Sequence, residues 1–318
     1  MSDTTTTQLT DTTDTTNSLR PTPSVTLVLV AYNHEAFIEE AVASCLAMDY
    51  SPMQIVLSDD CSSDRTFEIM QGLVDAYDGP NEVVLNRNDE NHYMEHLSRL
   101  LPRLTGDLVV LACGDDVQHP DRVAKVVERW RQTGATLLTN QARVIDDSGR
   151  GDSIYPDAPA STAELSLEHF LPRAMNAACF GAGLSWHREL TDTFGPVRIG
   201  ARNMDRIFPF RALLMNGCEF IAEPLMGWRH HGDNMTIALR MAQSADKVEH
   251  GMWIQSNHLN DMANFYAMIE DAQRYLAPLG RQAELAKITS VLSNNLTGTI
   301  RKWLPVRHVL AQNKVKYH

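Results

Sequence analysis

Two pairs of adjacent carboxylates, Asp59-Asp60 and Asp115-Asp116, carry the sharpest chemical signal in this chain of 318 residues. Neighbouring carboxylates repel in a dry site unless one is protonated or a cation lies between them. Their hard oxygen donors suit Mn2+ or Mg2+, which take one or two carboxylates together with phosphates and water. For Asp115-Asp116 two readings stand, a divalent-cation site and a solvated turn leading into a helix. Pro120 fits a first helical position, which puts the cap near His119 and leaves both aspartates upstream of it. That favours the cation site. Asp59-Asp60 lies beside the natural N-caps Ser62, Ser63 and Asp64, so a plain turn competes evenly with a carboxylate that accepts a hydrogen bond from a heterocyclic N–H. A third polar cluster is Ala31-Tyr32-Asn33-His34-Glu35. The sequence contains no GxxxxGK phosphate loop, no HExxH pair and no GxGxxG opening a helix after the first apolar run. Gly181-Ala182-Gly183 is a lone GxG, better read as close packing than as a phosphate cradle.

These clusters need elements to bring them together. Val25–Ala31 is a short, nearly continuous apolar run, as expected of a strand buried on both faces. Phe37/Ile38, Ala41/Val42 and Cys45/Leu46 then repeat every four residues, which predicts an amphipathic helix. Strands over Gln54–Ser58, Glu82–Asn86, Leu108–Cys113 and Thr136–Ile145 alternate with helices over Asp64–Tyr77, His92–Leu104 and Pro120–Gln132. That order predicts β-α-β units and a mainly parallel sheet. Ligands of such sheets bind beyond the carboxyl ends of the strands, where all three polar clusters fall. After Asp146 the rhythm loosens. Asp147-Ser-Gly-Arg-Gly151 reads as a turn and Tyr155–Thr162 as a loop. Phe180–Trp186, Glu219–Ala222 and Leu225–Arg229 read as short strands, with helices over His187–Phe194 and Met204–Asn216. Beyond Asn234 the chain reads as helical. Met252, Leu259, Met262, Tyr266, Ile269 and Leu276 form a stripe expected to pack within the chain, with a homodimer interface as the alternative. Pro305 should interrupt the last helix.

Composition removes whole classes of function. A net charge of −12 argues against a general nucleic-acid binder, which needs a basic footprint. The run Val25–Tyr32 is far short of the roughly 20 residues of a membrane span. Met1–Arg20 is rich in Thr and Asp rather than basic then apolar, so it predicts a disordered segment and no signal peptide. Cys45, Cys61, Cys113, Cys179 and Cys218 are widely spaced with no CxxC pair. They predict reduced thiols in a cytoplasmic protein rather than a disulfide framework or a zinc site. Leu285–His318 carries Lys287, Arg301, Lys302, Arg307, Lys314 and Lys316 with no acid, interleaved with Trp303, Leu304 and Val306. That composition suits an anionic membrane surface; a solvated or partner-packed tail is the alternative.

Four strings occur in order: Val28-Leu-Val-Ala-Tyr-Asn-His-Glu35, Ile55-Val-Leu-Ser-Asp-Asp-Cys-Ser-Ser-Asp64, Gly106-Asp-Leu-Val-Val-Leu-Ala-Cys-Gly-Asp-Asp116 with Pro120-Asp121, and Glu223-Pro-Leu-Met-Gly-Trp-Arg-His-His-Gly-Asp-Asn234. Together, over Ser24 to Asn234, the chain resembles the family 2 glycosyltransferases of the GT-A fold. The resemblance implies an α/β architecture: a Rossmann-like, mainly parallel sheet with flanking helices, followed by a C-terminal helical extension. On this basis residues 1–22 are a disordered Thr/Asp-rich segment and 23–236 a GT-A domain. Its nucleotide-binding half is about 23–146 and its acceptor half about 147–236, and 237–318 is the helical extension with a basic tail.

By the same resemblance Tyr32 and one or both of Asp59 and Asp60 lie against a nucleotide base, with Ala31 and Glu35 in the same nucleotide-sugar site. Asp115-Asp116 is this chain's version of the DxD element, with Asp116 the metal ligand and Asp115 near the ribose or metal. Cys113 stands where many relatives carry a further Asp. Counting back from Arg211 places Asp205 at the catalytic base position, with Met204 in place of the usual Glu; a solvated helix-start Asp is the alternative. Arg229 and His231 fit the family's Arg-x-His close, facing the diphosphate or metal, against the plainer reading of a strand end with exposed basic residues. Asn91-His92-Tyr93 replaces a segment that often contains glycine.

The function implied is inverting, metal-dependent transfer of a sugar from a nucleotide-diphosphate sugar to a hydroxyl group. The expected donor is a UDP-sugar, the cofactor Mn2+ or Mg2+, and the acceptor a glycan or lipid-linked molecule of bacterial cell-surface polysaccharide or glycolipid synthesis. The expected location is cytoplasmic, peripheral at the inner face of the plasma membrane if the basic tail binds lipid. A non-catalytic nucleotide-sugar-binding protein of the same fold is the main rival. A sugar nucleotidyltransferase is a lesser one, since Ala31–Glu35 offers neither glycine nor Lys/Arg.

Overall fold

Leu27 and Leu29 point to one side of the first strand and Val28 to the other, and all three are fully buried. A strand covered on both faces needs no polar alternation, which is why Val25–Ala31 folds as β1 at the centre of a sheet. In the computed structural model the described residues are 19–156, 165–173, 179, 181–197, 201, 204–231 and 247–312. β1 pairs in parallel with β2 (Gln54–Asp59) and β4 (Leu108–Cys113), and β2 pairs in parallel with β3 (Glu82–Arg87). Beyond β4 the sheet is mixed. It contains β5 (Val117–Gln118), β6 (Leu137–Ile145), β7 (Ile154–Tyr155), β8 (Leu184–His187) and β9 (Cys218–Arg229). The order is β3-β2-β1-β4-β8-β6-β9-β5, with β7 paired to β6. β8 enters antiparallel between β4 and β6, while β6 and β9 run parallel.

The helices are α1 (Ile38–Leu46), α2 (Thr66–Asp75), α3 (His96–Leu100), α4 (Arg122–Thr133), α5 (Leu167–Arg173), α6 (Glu189–Phe194), α7 (Met204–Leu214), α8 (Lys247–Leu276) and α9 (Gln282–Gln312). One face of the sheet packs Leu27, Leu29, Ile55 and Leu57 against α1, α2 and α4. The other packs Val28, Val56 and Leu111 into a core with Phe208 and Phe210 of α7, Phe265 and Met268 of α8, and Ile288 and Leu292 of α9. The two C-terminal helices thus share one core with the sheet.

Several expectations need correction. α4 begins at Arg122 rather than at Pro120, because the Pro120 carbonyl accepts the Asp49 N–H at 3.1 Å. The expected helix over His92–Leu104 is a short α-helix between two 3-10 turns. Glu219–Ala222 and Leu225–Arg229 are one strand, whose register against β6 shifts around Pro224. α9 continues through Pro305 instead of breaking there, and its buried face of Ile288, Leu292 and Leu296 lies in the half before the proline.

Of the stripe expected on α8, Leu276 is fully buried and Met262 and Ile269 pack against the core as expected, while its other described members turn outward. Leu259 and Tyr266 are exposed, while Asn264, Phe265, Met268, Asp271 and Ala272 face inward; the Met252 side chain lies outside the described residues. The inward face contains an Asp because Arg211 neutralises it, its Nε donating to Asp271 Oδ2 at 2.7 Å. Within the segment expected to be disordered, residues 1–18 lie outside the described residues, and Arg20 exchanges hydrogen bonds with Arg131. The expected loop over Tyr155–Thr162 lies mostly outside them too. All five cysteines are free thiols, as expected. Among the described residues no helix is long and apolar enough to cross a membrane.

Candidate active site

The carboxyl ends of β1, β2 and β4 bring the three polar clusters to one edge. β4 stops at Cys113, and Gly114 turns the chain beneath β1, where a Cβ would stand 2.6 Å from His34 Nδ1 and 2.8 Å from Ala31 Cβ. Only glycine fits that approach. Asp116 is 2% exposed, and its Oδ1 accepts the Arg229 N–H at 2.9 Å. Burial, and next the charge of Asp115, push the Asp116 carboxyl well above the usual carboxylate range. Asp115 Oδ2 lies 3.2 Å from His231 Nε2.

Ligand atoms of Cys113, Asp115 and Asp116 all lie within 4.8 Å of one another. Burial, reinforced by the two aspartates, drives the Cys113 thiol far up, so the sulfur stays protonated and the donors are oxygens. A buried carboxylate that resists ionisation beside a second one is the arrangement a small hard cation relieves. The residues present therefore fit Mn2+ or Mg2+, with Asp116 and Asp115 as oxygen donors and His231 beside them.

Arg229 does not face this opening. Its side chain is 1% exposed. Nε donates to the Asp115 carbonyl at 2.9 Å, Nη1 to the carbonyls of Asp146 and Asp147 at 2.9 and 3.1 Å, and Nη2 to Glu40 Oε2 at 2.6 Å. The guanidinium lies 4.9 Å from the Phe37 ring centroid, and Phe37 in turn lies 4.7 Å from the His231 ring. Arg229 thereby ties the end of β9 to the aspartate turn and to the β6–β7 turn.

The second carboxylate pair is occupied by its own loops. Asp59 is fully buried, accepts the Ser62 N–H at 3.0 Å and the Ser62 hydroxyl, and lies 3.4 Å from Arg87 Nε. Asp60 accepts the Asn88 amide at 2.7 Å and the backbone N–H groups of His92 and Tyr93 at 3.0 and 2.8 Å. It pins Tyr93 in the left-handed region at φ 50°, with the ring exposed. Ala31 is buried and its carbonyl accepts the Asp60 N–H at 2.9 Å, while the Tyr32 ring stands 40% exposed beside it. Glu35 accepts the Arg65 N–H at 3.1 Å and donates its own N–H to Asp64 at 3.0 Å, which joins the end of β1 to the start of α2. Asp205 sits half-buried in the first turn of α7. Burial, with the negative charge of Asp205 next, raises the neighbouring Cys179 thiol to about 12.

Phe37, Glu40 and Arg122 escaped the sequence reading as site residues, and His34 stood there only as a member of the Ala31–Glu35 cluster. Phe37 and Glu40 look like ordinary helix positions. His34 has a buried Nδ1 with no hydrogen-bond partner. Arg122 is fully buried, donating to Asn140 at 3.2 Å, to the Ala182 carbonyl at 3.1 Å and to Gln118. Burial lowers its guanidinium to about 10, and its charge lies within the field of Asp116. The one sequence signal for Arg122 is its place directly after Pro120-Asp121.

A mixed sheet with paired carboxylates beyond β4, closed by an antiparallel insertion and a helical cover, is the GT-A fold. Two solved structures share it. Staphylococcus aureus TarS 1-349, in complex with UDP-GlcNAc, matches with a TM-score of 0.53 and 14% identity, over 86% of this chain and 92% of that one. The mannosyltransferase PcManGT of Pyrobaculum calidifontis, in complex with GDP-Man and Mn2+, matches at 0.52 and 17% identity, over 89% and 87%. Residues 26–180 match the model of Glycosyl transferase family 2, and the chain belongs to that family. The undecaprenyl-phosphate 4-deoxy-4-formamido-L-arabinose transferase of Pseudomonas aeruginosa is 34% identical over 235 residues, which are 70% of this chain and 62% of that relative.

Proposed function

We propose that this protein transfers a sugar from a nucleotide-diphosphate sugar to a hydroxyl acceptor, with inversion at the anomeric carbon. The observation that carries the reading is the buried Asp116 carboxyl pressed against Asp115 at the carboxyl edge of β4. An acidic chain cannot neutralise a diphosphate by bulk charge. A divalent ion held by Asp116 and Asp115 would offset the charge of the leaving diphosphate. Tyr32 offers its exposed ring, and the loop pinned by Asp60 closes the same edge, where a planar base can lie. Asp205 takes the proton of the acceptor hydroxyl as that oxygen attacks the anomeric carbon and the nucleotide diphosphate departs from the opposite face. One base and one in-line displacement give inversion. A UDP-sugar is the proposed donor, supported by the UDP-GlcNAc complex of TarS on the shared fold.

A lipid-linked acceptor of cell-surface glycan synthesis is supported by the name of the P. aeruginosa relative. It is also supported by α9, which exposes Arg301, Lys302 and Leu304 together. On this reading the enzyme works at the cytoplasmic face of the plasma membrane, in peripheral contact through that helix.

The test is nucleotide release from UDP-, GDP- and dTDP-sugars with Mn2+ or Mg2+. Asp116→Ala and Asp205→Asn should each cut transfer by about a hundredfold or more, and only Asp116→Ala should also abolish metal-dependent nucleotide binding. Normal turnover by Asp205→Asn refutes the base assignment. Absence of release with every donor leaves the non-catalytic binding protein as the correct reading.

A further inference from the structure

The aspartate turn is held from outside by the first turn of α1. We propose that Phe37 and Glu40 are positioning residues that fix Asp115, Asp116 and His231 for cation and donor binding; the inference rests on the metal-dependent reading above. Phe37 is the N-cap residue of α1 and Glu40 lies in its first turn, and both reach Arg229 from that end of the helix. They reach Arg229, the last residue of β9, and His231, two residues beyond it. Glu40 accepts Arg229 Nη2 at 2.6 Å, and Phe37 stands 4.9 Å from the Arg229 guanidinium and 4.7 Å from the His231 ring.

What Arg229 and His231 do next gives those contacts their consequence. The Arg229 N–H is donated to Asp116 Oδ1 at 2.9 Å and its Nε to the Asp115 carbonyl at 2.9 Å, so one residue holds both halves of the turn. His231 Nε2 meets Asp115 Oδ2 at 3.2 Å. A buried guanidinium needs acceptors for its N–H groups, and an ionised one forms the stronger, shorter bond. Glu40 supplies such an acceptor from a side chain that is itself 55% exposed. The aromatic face of Phe37 adds a cation–π contact to Arg229 and limits the rotation of the His231 ring. With either residue removed, the carboxylates keep their identities but lose their fixed separation. Partners that orient ligands without touching the ion commonly govern its affinity by ten- to a hundredfold.

The experiment uses the full chain and the variants Glu40→Ala and Phe37→Leu. Glu40 is more than half exposed, so water can replace its carboxylate on Arg229 Nη2, and Leu retains apolar bulk at position 37. Both variants should remain cooperatively folded, which thermal melting checks before Mn2+ is added. Mn2+ is titrated by electron paramagnetic resonance, and amide hydrogen exchange is followed at Arg229 and across Cys113–Asp116. The expected result is an Mn2+ Kd raised about tenfold or more, with faster exchange confined to those two segments. Affinity within about twofold of the parent, together with unchanged exchange, overturns the proposal. If the parent itself binds no Mn2+, the metal reading of the site fails, and the exchange arm alone decides whether Phe37 and Glu40 hold the turn.

Discussion

Asp271→Asn offers a sharp test of how α8 is joined to α7. Asp271 and Arg211 are both buried, at 4% and 2% exposed. Arg211 Nε donates to Asp271 Oδ2 at 2.7 Å and Nη2 to Oδ1 at 3.4 Å, while its remaining N–H groups reach the carbonyls of Gly195 and Pro196 at 2.9 and 3.4 Å. The substitution leaves a buried guanidinium with carbonyls and the Phe194 ring, 5.2 Å away, but no counter-charge. Breaking a buried pair from one side costs about 3–5 kcal/mol. At roughly 2–4 °C per kcal/mol for a large domain, Tm should fall by about 6–20 °C. Arg211→Met combined with Asp271→Leu removes both charges, and the loss should shrink to about 1–3 kcal/mol, mainly the two carbonyls left without a donor. Urea unfolding of the parent, Arg211→Met, Asp271→Leu and the double variant completes the cycle, with Asp271→Asn measured beside it. A cost below about 1 kcal/mol for Asp271→Asn, or a double variant no better than the single, refutes the argument. Because Arg211 lies in the same helix as Asp205, nucleotide release by the single variant should fall along with its stability.

Two further outcomes follow from the geometry. Gly114→Ala places a methyl 2.8 Å from Ala31 Cβ, which should cost about 1–3 kcal/mol by overpacking and weaken Mn2+ binding by shifting the adjacent aspartates; an unchanged Tm and Kd would contradict it. Ser24 Oγ, donating to Asp107 at 2.7 Å, holds the Asp107 carboxyl below its ordinary value. Its contribution is therefore complete above the unfolded pKa near about 3.9 and is lost as pH falls through the folded value. Asp107→Asn should flatten the fall of Tm with pH below about 4, and parallel Tm–pH curves for the two proteins would count against the assignment.

The local code was legible where burial is two-sided. β1 and β4 are nearly continuous apolar runs and β2 has the apolar centre Ile55-Val56-Leu57, so short buried runs locate them and place the polar clusters at their carboxyl ends. The C-terminal face was legible only in part, since its inward side includes Asn264 and Asp271, which hydropathy counts as outward. The aspartate pairs were legible as chemistry but not as geometry. Asp59 is satisfied within its own turn by Ser62, whereas Asp60 reaches to His92 and Tyr93 and becomes the anchor of a distant loop.

Arg229 marks the division between the two levels. Its motif, Arg-x-His after a strand, was visible in one dimension and pointed to an anion. Its orientation depends on Glu40, 189 residues earlier, and on the Asp115 carbonyl, 114 residues earlier. No local pattern encodes a partner at that separation, because a side chain is turned inward by the acceptors the sheet happens to bring beside it. By itself the sequence determined the family, the parallel half of the sheet and the residue types at its carboxyl edge. Tertiary structure alone decided which of those residues face the opening and which are spent holding the others in place.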